Sequence, residues 1–111
     1  MMDISPTERE LLRGIRKRPC MYTGEYSLPR LRSFLDGYLG ALALHGLDGS
    51  FCILPGEFHG FVTKRYGLPG PMGWCLAILE NVPDGKEAVE TFFSLLDEFL
   101  EANGLEPIES V

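Results

Sequence analysis

Val89, Phe92, Phe93, Leu96, Phe99 and Leu100 recur at the short steps that gather side chains on one side of an α-helix. Glu90, Asp97, Glu98 and Glu101 fall off that stripe. Asp84-x-x-Glu87 reads as a capping sequence at the start of the helix. Gly104 reads as its C-terminal stop, and Pro107 prevents the helix from resuming. A helix with three phenylalanines on one face needs cover, from the rest of the chain or from a second copy.

Four further helical segments are predicted. Ser5-Pro6-Thr7-Glu8 has the form of a capping box with Pro in the first turn. Leu11, Leu12 and Ile15 follow as an apolar stripe. Arg16, Lys17 and Arg18 fall in the last turn, where cations suit the helix dipole, and Pro19 ends the helix. Ser27-Leu28-Pro29 opens the next segment, with Leu31, Phe34, Leu35, Tyr38 and Leu42 on one face. Gly37 and Gly40 interrupt it at a cost of up to ~1 kcal/mol each relative to Ala. Close approach of another backbone would account for them. Phe58, Phe61, Val62 and Tyr66 fit a third helix face, stopped by Gly67. Leu68-Pro69-Gly70-Pro71 is a loop by its breaker residues. Trp74, Ile78 and Val82 match helical spacing, although the run Trp74–Leu79 also suits a buried strand.

The fold expected is therefore mainly α: a single compact domain over 1–111 with about five helices. The alternative is α+β, with a short central hairpin made from 50–54 and 74–80. At 111 residues the chain can bury a core without a metal or disulfide. No apolar run approaches the ~20 residues that span a bilayer. The opening residues lack a signal peptide's basic and apolar regions, so a cytoplasmic protein with no membrane partner is expected.

Charge is unevenly spread. Residues 1–50 carry seven Lys/Arg and six Asp/Glu, whereas residues 51–111 carry three and ten. An acidic half of that kind repels nucleic acid and favours a basic protein partner. The plainer alternative is a solvated helix face that keeps the protein soluble.

Tests for chemistry find no complete catalytic set. Cys20, Cys52 and Cys75 are widely spaced with no C-x-x-C pair, and read as reduced thiols. Cys52 with His59, or Cys75 with either His45 or His59, would be the only Cys/His pairs, and no flanking motif supports them. No glycine-rich phosphate loop of the P-loop or dinucleotide type occurs. No cofactor, metal ligand or catalytic residue is assigned. The basic cluster Arg13, Arg16, Lys17 and Arg18, with Tyr22 beside it, suits either phosphate contact or a helix C-terminus.

Two resemblances follow from these motifs. Glu10-Leu11-x-x-x-Ile15-Arg16-Lys17-Arg18-Pro19-x-Met21-Tyr22-x-Gly24 resembles the N-terminal segment of the ATPase domain of DNA gyrase B subunits. That family has Gly where this chain has Cys20. Its next helix carries an acidic catalytic residue and an Asp-Asn pair, where this chain reads Arg32-Ser33-Phe34-Leu35-Asp36-Gly37-Tyr38. Its Asp-x-Gly-x-Gly is absent, so ATP binding is not carried over. Over its whole length the chain resembles small acidic bacterial proteins that look like immunity partners of polymorphic or contact-dependent toxins. The shared features are Arg16–Gly24, Leu31–Tyr38, Phe58–Val62, Trp74–Leu79 and Phe92–Leu100.

That resemblance implies a non-enzymatic protein that occludes a basic toxin domain. The residues expected at the contact are Glu90, Asp97, Glu98 and Glu101, with Tyr22 and Tyr26 as aromatic candidates. One rival is a small nucleotide- or phosphate-binding domain built on Arg16–Gly24, with Arg16, Arg18 and Tyr22 lining a pocket. The other is a homodimer joined through the aromatic stripe of the last helix.

Overall fold

A computed structural model describes residues 3–69 and 72–108. Among them lie six helices and no strand: α1 Pro6–Lys17, α2 Pro19–Thr23, α3 Leu28–Leu44, α4 Phe58–Arg65, α5 Trp74–Leu79 and α6 Lys86–Ala102. The fold is mainly α, as the periodicity predicts. Residues 50–54 form turn, bend and irregular chain, and 74–79 are helical, so the hairpin alternative does not form. Of the loop expected at 68–71, Gly70 and Pro71 lie outside the described residues.

The sixth helix is α2. Pro19 does end α1, but its ring also suits the first turn of a new helix, and the chain winds on to Thr23. Gly24 closes that turn at φ 85°, a left-handed conformation open to glycine.

α6 is the centre of the molecule. Its apolar stripe is buried throughout, and Phe92, Leu96 and Leu100 are fully covered. Phe58 from α4 packs edge-on against both Phe92 and Phe99, at 5.7 and 5.8 Å between ring centres. Trp74 from α5 lies 4.7 Å from Phe92. Leu12 and Ile15 of α1, and Leu28, Leu31 and Leu35 of α3, complete the core. The α6 stripe faces inward and is covered within the chain, so it offers no free surface to a second copy.

Both capping boxes are corrected. Ser5 makes no side-chain cap to α1; its hydroxyl accepts from Cys52 N at 2.8 Å and anchors the segment before α4. Asp84 makes no cap two or three residues into α6. Its Oδ1 accepts from Leu28 N and Gly85 N, both at 2.8 Å, and Ser27 Oγ donates to Oδ2 at 3.4 Å. Asp84 thus caps α3, a helix 56 residues away in sequence. Ser27 is a local cap, accepting from Arg30 N at 3.3 Å.

The tail after α6 belongs to the core. Ile108 is fully buried. Arg16 donates to Ile108 O and to Asp97 Oδ2 (2.7 Å), while Asp97 Oδ1 accepts from Ile108 N at 2.7 Å. Arg9 reaches Pro107 O at 3.4 Å. Two arginines of α1 therefore hold the tail by its carbonyls, which buried backbone groups require.

α3 runs past the core. Leu31 and Leu35 are buried, Phe34, Tyr38 and Leu42 are half-buried, and residues 43–51 are exposed. Among the described residues nothing lies within 4 Å of a Cβ built on Gly37 or Gly40, so no described backbone approaches them closely.

Candidate functional site

The outer side of α6 gathers most of the acidic candidates. At about 100° per residue, Glu87, Glu90, Ser94, Glu98 and Glu101 fall within an arc of about 80°. All five are exposed. Ser94 divides the row, which is otherwise carboxylate. Glu90 is only loosely paired with Lys86, at 3.9 Å, and both are two-thirds exposed. Glu98 engages Arg65 of α4 through both oxygens, at 2.6 and 3.4 Å. Glu87 and Glu101 have no ion pair among the described residues.

A groove runs along each side of this row. One, of about 360 Å³, lies between α4 and α6 and is lined by Arg65, Tyr66, Glu87 and Glu98 among others. The other, of about 420 Å³, is lined by Lys17 and Pro19, by Tyr26, and by Lys86 on α6. Glu90 and Ser94 line both. Tyr26 is exposed, and the Lys86 ammonium stands 6.0 Å from its ring centre. The structure therefore brings Tyr26 beside Glu90.

It does not bring all six contact candidates together. Asp97 is turned inward: its side chain is 19% exposed and both oxygens are occupied by Arg16 and the Ile108 amide. Its position off the apolar stripe suggested a free carboxylate, but α1 and the tail cover it. Tyr22 lies in a separate depression with Phe34, Pro29 and Arg30 that shares no residue with either groove. Its ring meets Phe34 edge-on at 5.9 Å. A Cβ on Gly14 would stand 2.6 Å from its hydroxyl, so α1 lacks a side chain where Tyr22 rests.

The pocket expected from Arg16, Arg18 and Tyr22 does not assemble. Arg16 is held by Asp97 and Ile108 O, with its guanidinium 5.5 Å from the Phe93 ring centre. Arg18 is exposed, its only described side-chain hydrogen bond going to the Met21 sulfur at 3.9 Å.

Cys75 and His59 line a cavity of about 310 Å³ together with Arg32 and Trp74. His59 Nδ1 accepts from Trp74 N at 3.2 Å, which commits that nitrogen to the start of α5. Burial pushes the Cys75 thiol up, against a smaller opposing effect of Arg32. Burial likewise pushes the Cys52 thiol up. Neither is an activated thiolate, which needs a depressed pKa or a free base beside it. Among the described residues no three His, Cys, Asp or Glu side chains converge as a metal site would require. No described helix is long and apolar enough to cross a membrane.

A carboxylate that the sequence marks only as a capping-box acid is also buried. Glu8 is 3% exposed; its Oε2 accepts from Tyr38 OH, and its Oε1 has no partner among the described residues. The hydrogen bond to Glu8, with burial second, pushes the Tyr38 hydroxyl up to about 12. The pair ties α1 to α3.

No family model, curated protein or solved structure matches the chain.

Proposed function

We propose that this chain is a non-enzymatic binding protein of the immunity type, which neutralises a cognate basic toxin domain in the cytoplasm by covering it. The supporting observation is the row Glu87, Glu90, Glu98 and Glu101 on the outer side of α6. None of these carboxylates is consumed by the core, in contrast to Asp97 and Glu8. A row of charge along a rigid helix steers a partner of opposite sign and fixes its register. Tyr26, in the groove beside Glu90, supplies an aromatic contact at the edge of the row. The proposed mechanism is steric and electrostatic occlusion, so it needs no catalytic residue and no cofactor.

The test is co-purification from the native host with the wild-type chain and with Glu87→Lys/Glu101→Lys. The proposal expects a basic protein retained at low salt by the wild type and largely lost by the variant. Equal retention by both chains would remove α6 from the contact.

A further inference from the structure

Eight large apolar or aromatic side chains are exposed among the described residues, and Leu39, Leu44, Leu47 and Phe51 are four of them. Leu44 is 87% exposed. Residues 37–47 contain no Asp, Glu, Lys or Arg. On α3, Leu39, Gly40, Ala43 and Leu44 share an outer arc of about 140°. The space over Gly40 is open, so a second helix can come close there. α3 ends with Gly46 at φ 69° and Leu47 N donating to Leu42 O at 2.8 Å, which turns Leu47 back toward the helix. Among the described residues nothing covers this charge-free apolar surface.

We propose that it is covered by the same surface of a second copy, with the two α3 helices antiparallel about an axis near Gly40. The flanking charges favour this occupant. Arg32 and Asp48 stand eight residues to either side of Gly40. Antiparallel pairing sets each Arg32 against the C-terminal end of the other α3, which carries partial negative charge, and against Asp48 beyond it. Arg32 pairs with Asp36 through Nε alone (3.3 Å), more than half exposed on both sides, so its other nitrogens can reach Asp48 of the second copy. The rest of the molecule bears a net charge of −6, so two copies repel one another across most faces. Across residues 37–47 they meet without charge, and Asp36, which shares the arc one turn before Gly40, enters the contact paired with its own Arg32. A helix face and one turn make a small contact beside the roughly 800 Å² per partner of a standard interface, so a weak dimer is expected, with dissociation in about the micromolar range. This inference does not rest on the reading of α6, since the two surfaces share no residue.

Sedimentation equilibrium of the full chain tests it. The wild type should pass from monomer to dimer across the micromolar range. Gly40→Glu places two carboxylates at the axis, and Leu44→Glu places one in each apolar patch. Each should weaken the dimer about tenfold or more, with the helical circular dichroism unchanged. Arg32→Glu should weaken it several-fold, and adding Asp48→Lys should restore it. A wild type that stays monomeric into the high micromolar range overturns the proposal, as does a dimer indifferent to Gly40→Glu and Leu44→Glu. A double charge swap that fails to restore the association overturns the antiparallel pairing.

Discussion

Tyr38 and Glu8 make the most consequential single pair in the molecule. The carboxylate is buried, and the tyrosine hydroxyl is its only described hydrogen-bond partner. Tyr38→Phe leaves both carboxylate oxygens unsatisfied, and should destabilise the fold by about 1–3 kcal/mol in a denaturant titration. The pair also sets a pH dependence. An unfolded tyrosine ionises near ~10, whereas Tyr38 in the fold is pushed up to about 12. Its contribution is therefore complete below pH ~10 and is lost as the pH rises toward 12. The stability of Tyr38→Phe should fall less steeply over that window than the wild type's. Gly14 and Tyr22 make a second testable pair. Gly14→Ala gains up to ~1 kcal/mol of helix propensity but drives a methyl into the Tyr22 hydroxyl. The gain should be small alone and approach its full value when combined with Tyr22→Phe, as a double-mutant cycle of unfolding free energies will show.

At the scale of elements, apolar spacing alone predicts helices close to α1, α3, α4, α5 and α6. Packing demands that pattern whatever the neighbours are. The caps were less legible. Ser5-x-x-Glu8 and Asp84-x-x-Glu87 have the local form of capping boxes, yet both oxygens are used across the fold. A sequence motif records which groups are close along the chain, and cannot record that Leu28 N arrives beside Asp84. Removing that acceptor in Asp84→Ala orphans the amide of a fully buried residue at the start of α3. The expected cost is about 1–3 kcal/mol, read as a lowered denaturant midpoint at unchanged slope. A midpoint within error of the wild type would mean that α3 is capped by some other group. The short helix α2 was hidden for a related reason: Pro19 is both a stop for α1 and a favourable first residue for the next helix.

For the whole molecule, the legible property was charge and the illegible one was its disposition. The sequence places Asp97 with Glu90, Glu98 and Glu101, all off the apolar stripe. Only the packing of α1 and the tail shows that Asp97 is used to bind Arg16 and Ile108. The same packing brings Tyr26 to Glu90 and leaves Tyr22 elsewhere. The sequence leaves Leu39 and Leu44 off the predicted buried face of this helix, but that they stand uncovered follows only from the packing around them. The central claim is that the carboxylate row on α6 meets a basic partner. Its most direct test is the association rate of the co-purified partner at low and high ionic strength, with the wild type and with Glu87→Lys/Glu101→Lys. Neither residue is ion-paired among the described residues, and both are exposed, so the fold should survive the reversal. The account predicts association slowed about fivefold or more at low salt, with the difference shrinking as salt screens the field. An unchanged rate and an unchanged salt slope would contradict it and reduce the row to a solvated helix face.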